Sequence, residues 1–344
     1  MYTIEYYTTK TIHSIKDIWL ELEKGKDMTY FQSYDWNIFI THYQLNNNFY
    51  FENIIYVVKD SGIAVLIAPL FLIKRRYKLI NRKACYFLGR NGWSDYLNFI
   101  YKEFDTKSVD YLLDYICQKY CIHDFYFEQI KDNSEIYNYL VNRKAQILYR
   151  TNCVNLKLSN FTIPEYNNIL SKNTRQNIRT AYNRIKKDGL KITINFNDTF
   201  IEKSLCESIR NERVVKKNIE NNILKILKNK IRRLLSLPYP QYLPFYNSSN
   251  SKIISIYERD NLMAYFNYGI DSYHHTIVIM AVGTNEKYSR YSPGILLMHS
   301  YIEYLLTNKK YFILDFTRGN EKYKYSLGGK DHFIYNFKLT VNND

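Results

Sequence analysis

Short apolar runs separated by turn-forming residues dominate the pattern along this chain, and two stretches of it share one order. Asn53 to Val58 and Ile63 to Ile73 are β-rich apolar runs flanking Lys59, Asp60, Ser61 and Gly62, which predicts a hairpin. Helical periodicity follows from about Thr106 to Tyr120, then a short strand from His123 to Glu128. Further along, Ile253 to Tyr257 and Leu262 to Ile270 flank Glu258, Arg259, Asp260 and Asn261, and a third strand is expected over His274 to Val282. A helix from about Gly294 to Leu306 and a strand from Tyr311 to Phe316 complete the second set. Hairpin, helix and strand thus recur, with about 50 to 60 residues from turn to final strand, the span of one repeated supersecondary unit. Between the two sets lies a basic, helical middle: Ser171 to Lys187, then roughly Thr199 to Leu235, after which Pro238, Pro240 and Pro244 punctuate the return to strand. The pattern predicts an α/β (α+β) chain of two domains, 1–155 and 156–344, with mixed, mostly antiparallel sheets flanked by helices. The second domain carries a basic helical insertion at about 171–235.

Composition narrows the classes without choosing among them. With 344 residues, 46% hydrophobic and 24% charged, the chain has material for two folded domains and none of the bias of a disordered one. The longest apolar run, IAVLIAPLFLI at Ile63 to Ile73, is too short to span a bilayer and contains Pro69, so it reads as a buried strand and no transmembrane segment is expected. The first residues, MYTIEYYTTK, show no basic region followed by an apolar core, so no secretory signal is expected. Five cysteines without framework spacing point to a reducing compartment, and a cytoplasmic location is expected. The net charge of +15 suggests an anionic partner: a nucleotide cofactor, tRNA, an acidic carrier protein or a membrane surface. Abundant Lys, Asn, Ile and Tyr, with 36 tyrosines, equally fit an A/T-rich coding bias.

Three segments could carry chemistry. In the first, Ser171 can cap a helix that Gly189 ends, and at about 100° per residue Arg175, Arg179, Tyr182 and Lys186 share one face beside Ile178, Ala181 and Ile185. Such a cationic stripe can hold phosphates through Arg, or be a solvated helix face. In the second, Tyr288 to Gly294 forms a loop that opens an amphipathic helix, where free amides and the missing Cβ of Gly294 suit a pyrophosphate; a turn that merely needs glycine is the plainer account. In the third, a short buried strand from Ile313 delivers Asp315, Arg318, Glu321, Tyr323 and Lys324 into one polar loop, which is either a catalytic site or an ion-pair network closing the loop. Other chemistries find little support. Cys117 and Cys121 lack a second Cys or His pair, so no metal is expected, and no Gly-x-Ser-x-Gly, His-Glu-x-x-His or P-loop pattern occurs. His274 and His275 fall mid-strand in this reading and are taken as packed or surface residues.

Taken together and in this order, Ser171, Lys172, Arg175 and Arg179, then Tyr291 to Leu297, then Asp315, Phe316, Arg318, Gly319, Glu321, Tyr323 and Lys324 resemble the CelD-type branch of the GNAT acyltransferases, over about residues 170 to 330. That branch is linked to cellulose and other surface polysaccharides. Trp19, the run Phe31 to Trp36, Ala68 to Leu70 and Leu88 to Tyr96 are similar to the first domain of such proteins, implying tandem GNAT-like domains. Tandem GNAT folds are also similar to Fem-type ligases, which use aminoacyl-tRNA.

The resemblance implies an N-acyltransferase using acetyl-CoA or another acyl-CoA as substrate, with an amine acceptor such as an amino sugar or sugar nucleotide. It places the pyrophosphate at the helix start, with Arg290, Ser292, Gly294 and Ile295 binding it. The GNAT glycine pattern falls on Ser289, Ser292 and Gly294, of which only the last is glycine. Asp315 and Glu321 are the expected acid or base, Tyr323 or Tyr325 the group near the thiolate, and Arg318 and Lys324, with Arg175 and Arg179, the expected contacts to an anionic substrate. Two further readings stay open: aminoacyl transfer from tRNA, or from an acyl carrier protein in place of CoA, and a non-catalytic binding protein on the same scaffold.

Overall fold

The computed structural model describes residues 1–43, 51–73, 83–90, 94–199, 201–202, 204–206, 208–209 and 251–342. Most of the helix expected over 199–235, and Pro238, Pro240 and Pro244, lie outside the described residues. The chain divides into two units, the first holding Met1–Thr151 and the chain from Phe333, the second Asn152 onward to His332.

In the first unit the strands β1 (Tyr2–Tyr7), β2 (Phe51–Asp60), β3 (Ile63–Ile73), β4 (Ala84–Phe87) and β5 (Asp124–Lys131) lie side by side in chain order, and the last strand, β12 (Lys330–Thr340), follows β5. The first four form an antiparallel meander. β4 and β5 run parallel, with Cys85 opposite Phe125 and Tyr86 opposite Tyr126, and β12 returns antiparallel. The helices are α1 (Lys16–Leu22), α2 (Tyr34–Tyr43), α3 (Thr106–Tyr120) and α4 (Glu135–Asn142). The chain crosses from β4 to β5 through α3, as parallel pairing requires. This helix turns Val109, Leu112, Leu113, Ile116 and Cys117 inward, while Asp105 caps its start and Cys121 ends it in a left-handed conformation. Fully buried Trp19, Trp36, Tyr56, Phe87, Phe99 and Phe125 fill the core.

The second unit repeats this order. Its strands are β6 (Gln146–Lys157, from Asn152), β7 (Ile192–Asn195), β8 (Ser251–Glu258), β9 (Asn261–Asp271), β10 (Thr276–Thr284) and β11 (Ile313–Arg318). They lie in the order β7, β8, β9, β10, β11, β6, antiparallel except where β10 meets β11. Helices α5 (Ile163–Ile169), α6 (Lys172–Lys187), α7 (Pro293–Asn308) and α8 (Lys322–Ser326) accompany them. In α6 the inward side chains are Thr174, Ile178, Ala181 and Ile185, the spacing that a 3.6-residue turn imposes on one face. Ile178, Ala181 and Ile185 join Leu296, Leu297, Tyr301, Ile302 and Leu305 of α7 over the sheet residues Ile254, Ile256, Phe266, Ile277 and Leu314. Each large apolar side chain that this layer removes from water contributes about 1.5–3 kcal/mol.

One expected element shifts. His274 and His275 sit in the turn between β9 and β10 rather than mid-strand, and β10 begins at Thr276. The Asp271 carboxylate accepts the His274 amide at 3.0 Å and its imidazole Nδ1 at 2.9 Å, and His275 adopts a left-handed φ of 50°. Local side-chain hydrogen bonds thus outcompete the ladder at this point. Among the described residues no helix is long and apolar enough to cross a membrane.

Candidate functional site

The strongest candidate lies in the second unit, where β10 and β11 part. Their parallel ladder covers only Thr276–Val278 against Ile313–Asp315. Past it, the Thr317 hydroxyl reaches the Ile279 carbonyl at 3.0 Å in place of a main-chain bond, and β10 continues to Thr284. Burial follows the same line: Ile277, Val278 and Ile279 are buried, whereas Met280, Ala281 and Val282 are half-exposed. Diverging parallel strands open a crevice at their C-terminal ends, the usual ligand position in such sheets.

Helix α7 starts at the C-terminal side of β10. Ser292, its N-cap, is left-handed at φ 47° and makes no side-chain cap, so its carbonyl and not its hydroxyl meets the first turn, accepting Ile295 N–H at 3.0 Å and Leu296 N–H at 3.2 Å. Pro293 has no N–H to satisfy, and the Gly294 N–H has no carbonyl four residues back within the helix. A Cβ on Gly294 would lie 3.2 Å from Thr284 Oγ1, so glycine lets the helix start close onto the end of β10. Ile295 lies partly buried against the helical core layer.

Helix α6 docks on the loop before this start. Asp188, just past its end, pairs with Arg290 at 3.0 Å and accepts the Tyr291 hydroxyl at 2.7 Å. Arg184 donates to the Arg290 carbonyl at 2.7 Å. The Asp188 carboxylate raises the Tyr291 phenol above its ordinary pKa. Tyr182 meets Ser300 of α7 at 3.2 Å. The remaining cations separate: Arg175 donates to the carbonyls of Asn167, Asn168 and Leu170, closing the end of α5, whereas Arg179 is exposed with no hydrogen bond or ion pair among the described residues.

On β11, Leu314 and Phe316 join the helical core, so alternation turns Asp315 to the other face, where it is buried and opposite Asn155 of β6. Its Oδ1 accepts the Thr317 N–H at 2.6 Å. The turn that follows is tight, with Thr317 at φ 58° and Gly319 at φ 110°. A Cβ on Gly319 would meet the Glu321 carboxylate at 2.5 Å. Lys324 is buried, its ammonium on the carbonyls of Thr317, Arg318 and Gly319 and paired with Glu321 at 3.0 Å. Arg318 is half-buried, and Tyr323 packs edge-on against Phe316. The Tyr325 hydroxyl donates to Asp331 at 2.7 Å, and Asn152 donates to the same oxygen at 3.2 Å. The bond to Asp331 raises the tyrosine pKa, and the two bonds together lower that of Asp331.

The structure therefore gathers Asp315, Arg318, Glu321, Tyr323, Lys324 and Tyr325 around one turn, and Arg290, Ser292, Gly294 and Ile295 around one helix start. Sequence reasoning missed Asp188, Arg184, Thr284, Asn152 and Asn155. Arg184 and Asp188 lie on the first candidate helix but off its cationic stripe, and all five reach the site by strand pairing or by helix docking. The first unit offers a built-in contrast. Its corresponding helix, α3, begins on Asp105, whose carboxylate accepts the amides of Lys107 and Ser108 at 3.1 Å each. That helix start already holds an anion of the chain itself, and the one in the second unit has no side-chain cap and no acidic residue in its first turn among the described residues.

Comparison with known proteins bears on the fold. A family model described as an acetyltransferase (GNAT) domain matches residues 255–325, which spans β8 to α8. Among solved structures the chain is similar to FemX, at 8% identity and a TM-score of 0.61, covering 99% of this chain and 98% of that one. It is similar to L-PGS from Bacillus licheniformis at 12% identity and 0.52, covering 96% and 92%. A tandem GNAT protein from the clavulanic acid biosynthesis pathway matches at 8% identity and 0.50 over 100% of both chains. At such identities the likeness is one of fold, and the fold is that of tandem GNAT proteins. No curated protein sequence matches this chain.

Proposed function

We propose that the second unit is an N-acyltransferase that moves an acyl group from a CoA thioester to an amine. The observation that carries this reading is the uncapped start of α7 beside the parting of β10 and β11, in a fold whose other copy closes the same helix start with Asp105. In the proposed arrangement the pyrophosphate lies on the Gly294 amide and the α7 dipole, where anions are favoured, with Arg290 at hand. The thioester enters between the diverging strands and meets the acceptor at the end of β11. The amine nitrogen attacks the acyl carbon, the C–S bond breaks, Asp315 accepts the amine proton directly or through water, and the thiolate is protonated from the Tyr323 and Tyr325 side. The acceptor class we favour is an amino sugar or a sugar nucleotide; the phosphates of a sugar nucleotide suit Arg318 and the exposed Arg179. This follows the sequence resemblance to the polysaccharide-associated branch.

Thiol release from acetyl-CoA and longer acyl-CoAs, measured against a panel of amines including amino sugars and sugar nucleotides, tests this. We expect release with at least one pair and a fall in kcat of about 100-fold for Asp315→Asn, the usual worth of a positioned base. No release from any pair overturns the CoA reading.

A second donor, aminoacyl-tRNA, is favoured by the net charge of +15 and by the exposed cations Arg179 and Lys186 on α6. It requires RNA binding that weakens steeply with salt. Salt-insensitive or absent binding removes it.

A further inference from the structure

Lys324 has the wrong surroundings for a substrate contact. Its side chain is 3% exposed, in the short helix α8. An ammonium has three protons to donate and no lone pair. Here it faces the carbonyls of Arg318 at 2.8 Å and of Thr317 and Gly319 at 3.2 Å, with Glu321 Oε2 at 3.0 Å. Three carbonyl dipoles and a carboxylate offset the cost of burying the charge, and they leave no proton for an anion of the substrate.

Those carbonyls belong to one strained turn. Thr317 and Gly319 both hold left-handed φ values, 58° and 110°, which for threonine costs free energy that the surroundings must offset. The same Thr317 donates its N–H to Asp315 at 2.6 Å and its hydroxyl to Ile279 at 3.0 Å, and Gly319 donates to the Asn152 carbonyl at 2.9 Å. The position of the Asp315 carboxylate is thus tied to the turn, and the turn is gathered by a single cation.

From these contacts we infer that Lys324 is a positioning residue: its ammonium draws the carbonyls of Thr317, Arg318 and Gly319 together and so aims Asp315, without touching donor or acceptor. The inference rests on the proposed role of Asp315, and its test includes a readout that needs no activity. Lys324→Met, which removes the ammonium, and Lys324→Arg, which keeps a cation, are compared with the wild-type protein. Positioning predicts for Lys324→Met a kcat about 100-fold lower with KM within about threefold, the pattern expected when a reacting group is misplaced by about an ångström, and a smaller loss of kcat for Lys324→Arg. A raised KM with unchanged kcat means direct substrate contact and overturns the inference.

Independently of any substrate, the Thr317 and Gly319 amides of Lys324→Met should exchange with deuterium at least about tenfold faster, with β9 protection unchanged as a control for folding. Unchanged exchange at the turn overturns the inference even if the protein proves not to be an acyltransferase. Should the variants fail to fold, the wild-type Lys324 ammonium decides by its nitrogen NMR signal. A signal unmoved by saturating CoA and by acceptor supports positioning; a shift on addition of either refutes it.

Discussion

Gly283 gives the sharpest prediction about the scaffold that carries the site. It lies in β10 directly opposite Tyr265 of β9, and a Cβ added there would sit 2.1 Å from Cε1 and 2.6 Å from Cζ of that ring. Carbon atoms rest at roughly 3.5 Å or more, so the ring would have to retreat by about 1.4 Å. It has no room to do so, because Tyr265 is fully buried among Cys206, Ile209, Ile253 and Leu262. Retreat also endangers the bond from its hydroxyl to the Cys206 carbonyl, 3.1 Å long. Overpacking costs about 1–3 kcal/mol and a stranded buried polar pair about 1–3 more, so Gly283→Ala should destabilise the second unit by about 4 kcal/mol. In a Tyr265→Leu background the new methyl has space, and the same substitution should then cost under about 1 kcal/mol, a coupling of about 3 kcal/mol. The three tryptophans, Trp19, Trp36 and Trp93, all belong to the first 151 residues, so tryptophan fluorescence would miss the effect. Hydrogen exchange of the β9 and β10 amides reads it directly. A cost under about 1 kcal/mol for the single variant, or the same cost in both backgrounds, would refute the packing argument.

Two further outcomes follow from side chains around α5. Arg175→Ala removes the donor that closes the end of α5 and should lower thermal stability by about 1 kcal/mol or less, whereas Arg179→Ala should leave it unchanged. Equal thermal shifts for the two would show that the cap contributes nothing. His299 of α7 is buried, with Nε2 on Asn167 at 3.0 Å and Nδ1 3.7 Å from Glu303, and burial pushes its pKa below the ordinary value despite that carboxylate. A depressed folded pKa means that the unfolded chain takes the proton first. The contribution of His299 to stability is therefore complete above about pH 6.5 and is lost as pH falls toward the folded pKa. His299→Gln should flatten the fall of second-unit stability between about pH 7 and 5, seen in urea titrations at each pH; an unaltered slope assigns that fall to other groups.

Much of the fold was legible because it follows from local rules. The helix α3 spans Thr106–Tyr120 as its periodicity predicts, and α6 spans Lys172–Lys187 between the cap Ser171 and Gly189 at φ 65°. The hairpin turn at Ser61 and Gly62 and the meander of β8, β9 and β10 likewise answer to turn residues and apolar runs. The strands β4 and β7, four residues each, carry too few positions for a period to show. The turn at His274 and His275 was misread because its cause is the carboxylate of Asp271, which a pattern of apolar residues does not register.

At the site, the sequence by itself determined which residue types crowd the end of one buried strand and which glycine opens one helix, since both are properties of a short segment. Only the tertiary structure decided their parts. Arg175 and Lys324 carry the same charge in the sequence, yet one closes a neighbouring helix at the surface and the other is enclosed by carbonyls. Asp188 and Arg290, about a hundred residues apart, meet because α6 packs on the loop before α7. That β10 and β11 part after three paired residues is written in neither strand. The physical reason is that a charge acquires its role from what surrounds it, and those surroundings are assembled by burial of apolar faces that leave the charges no choice of position.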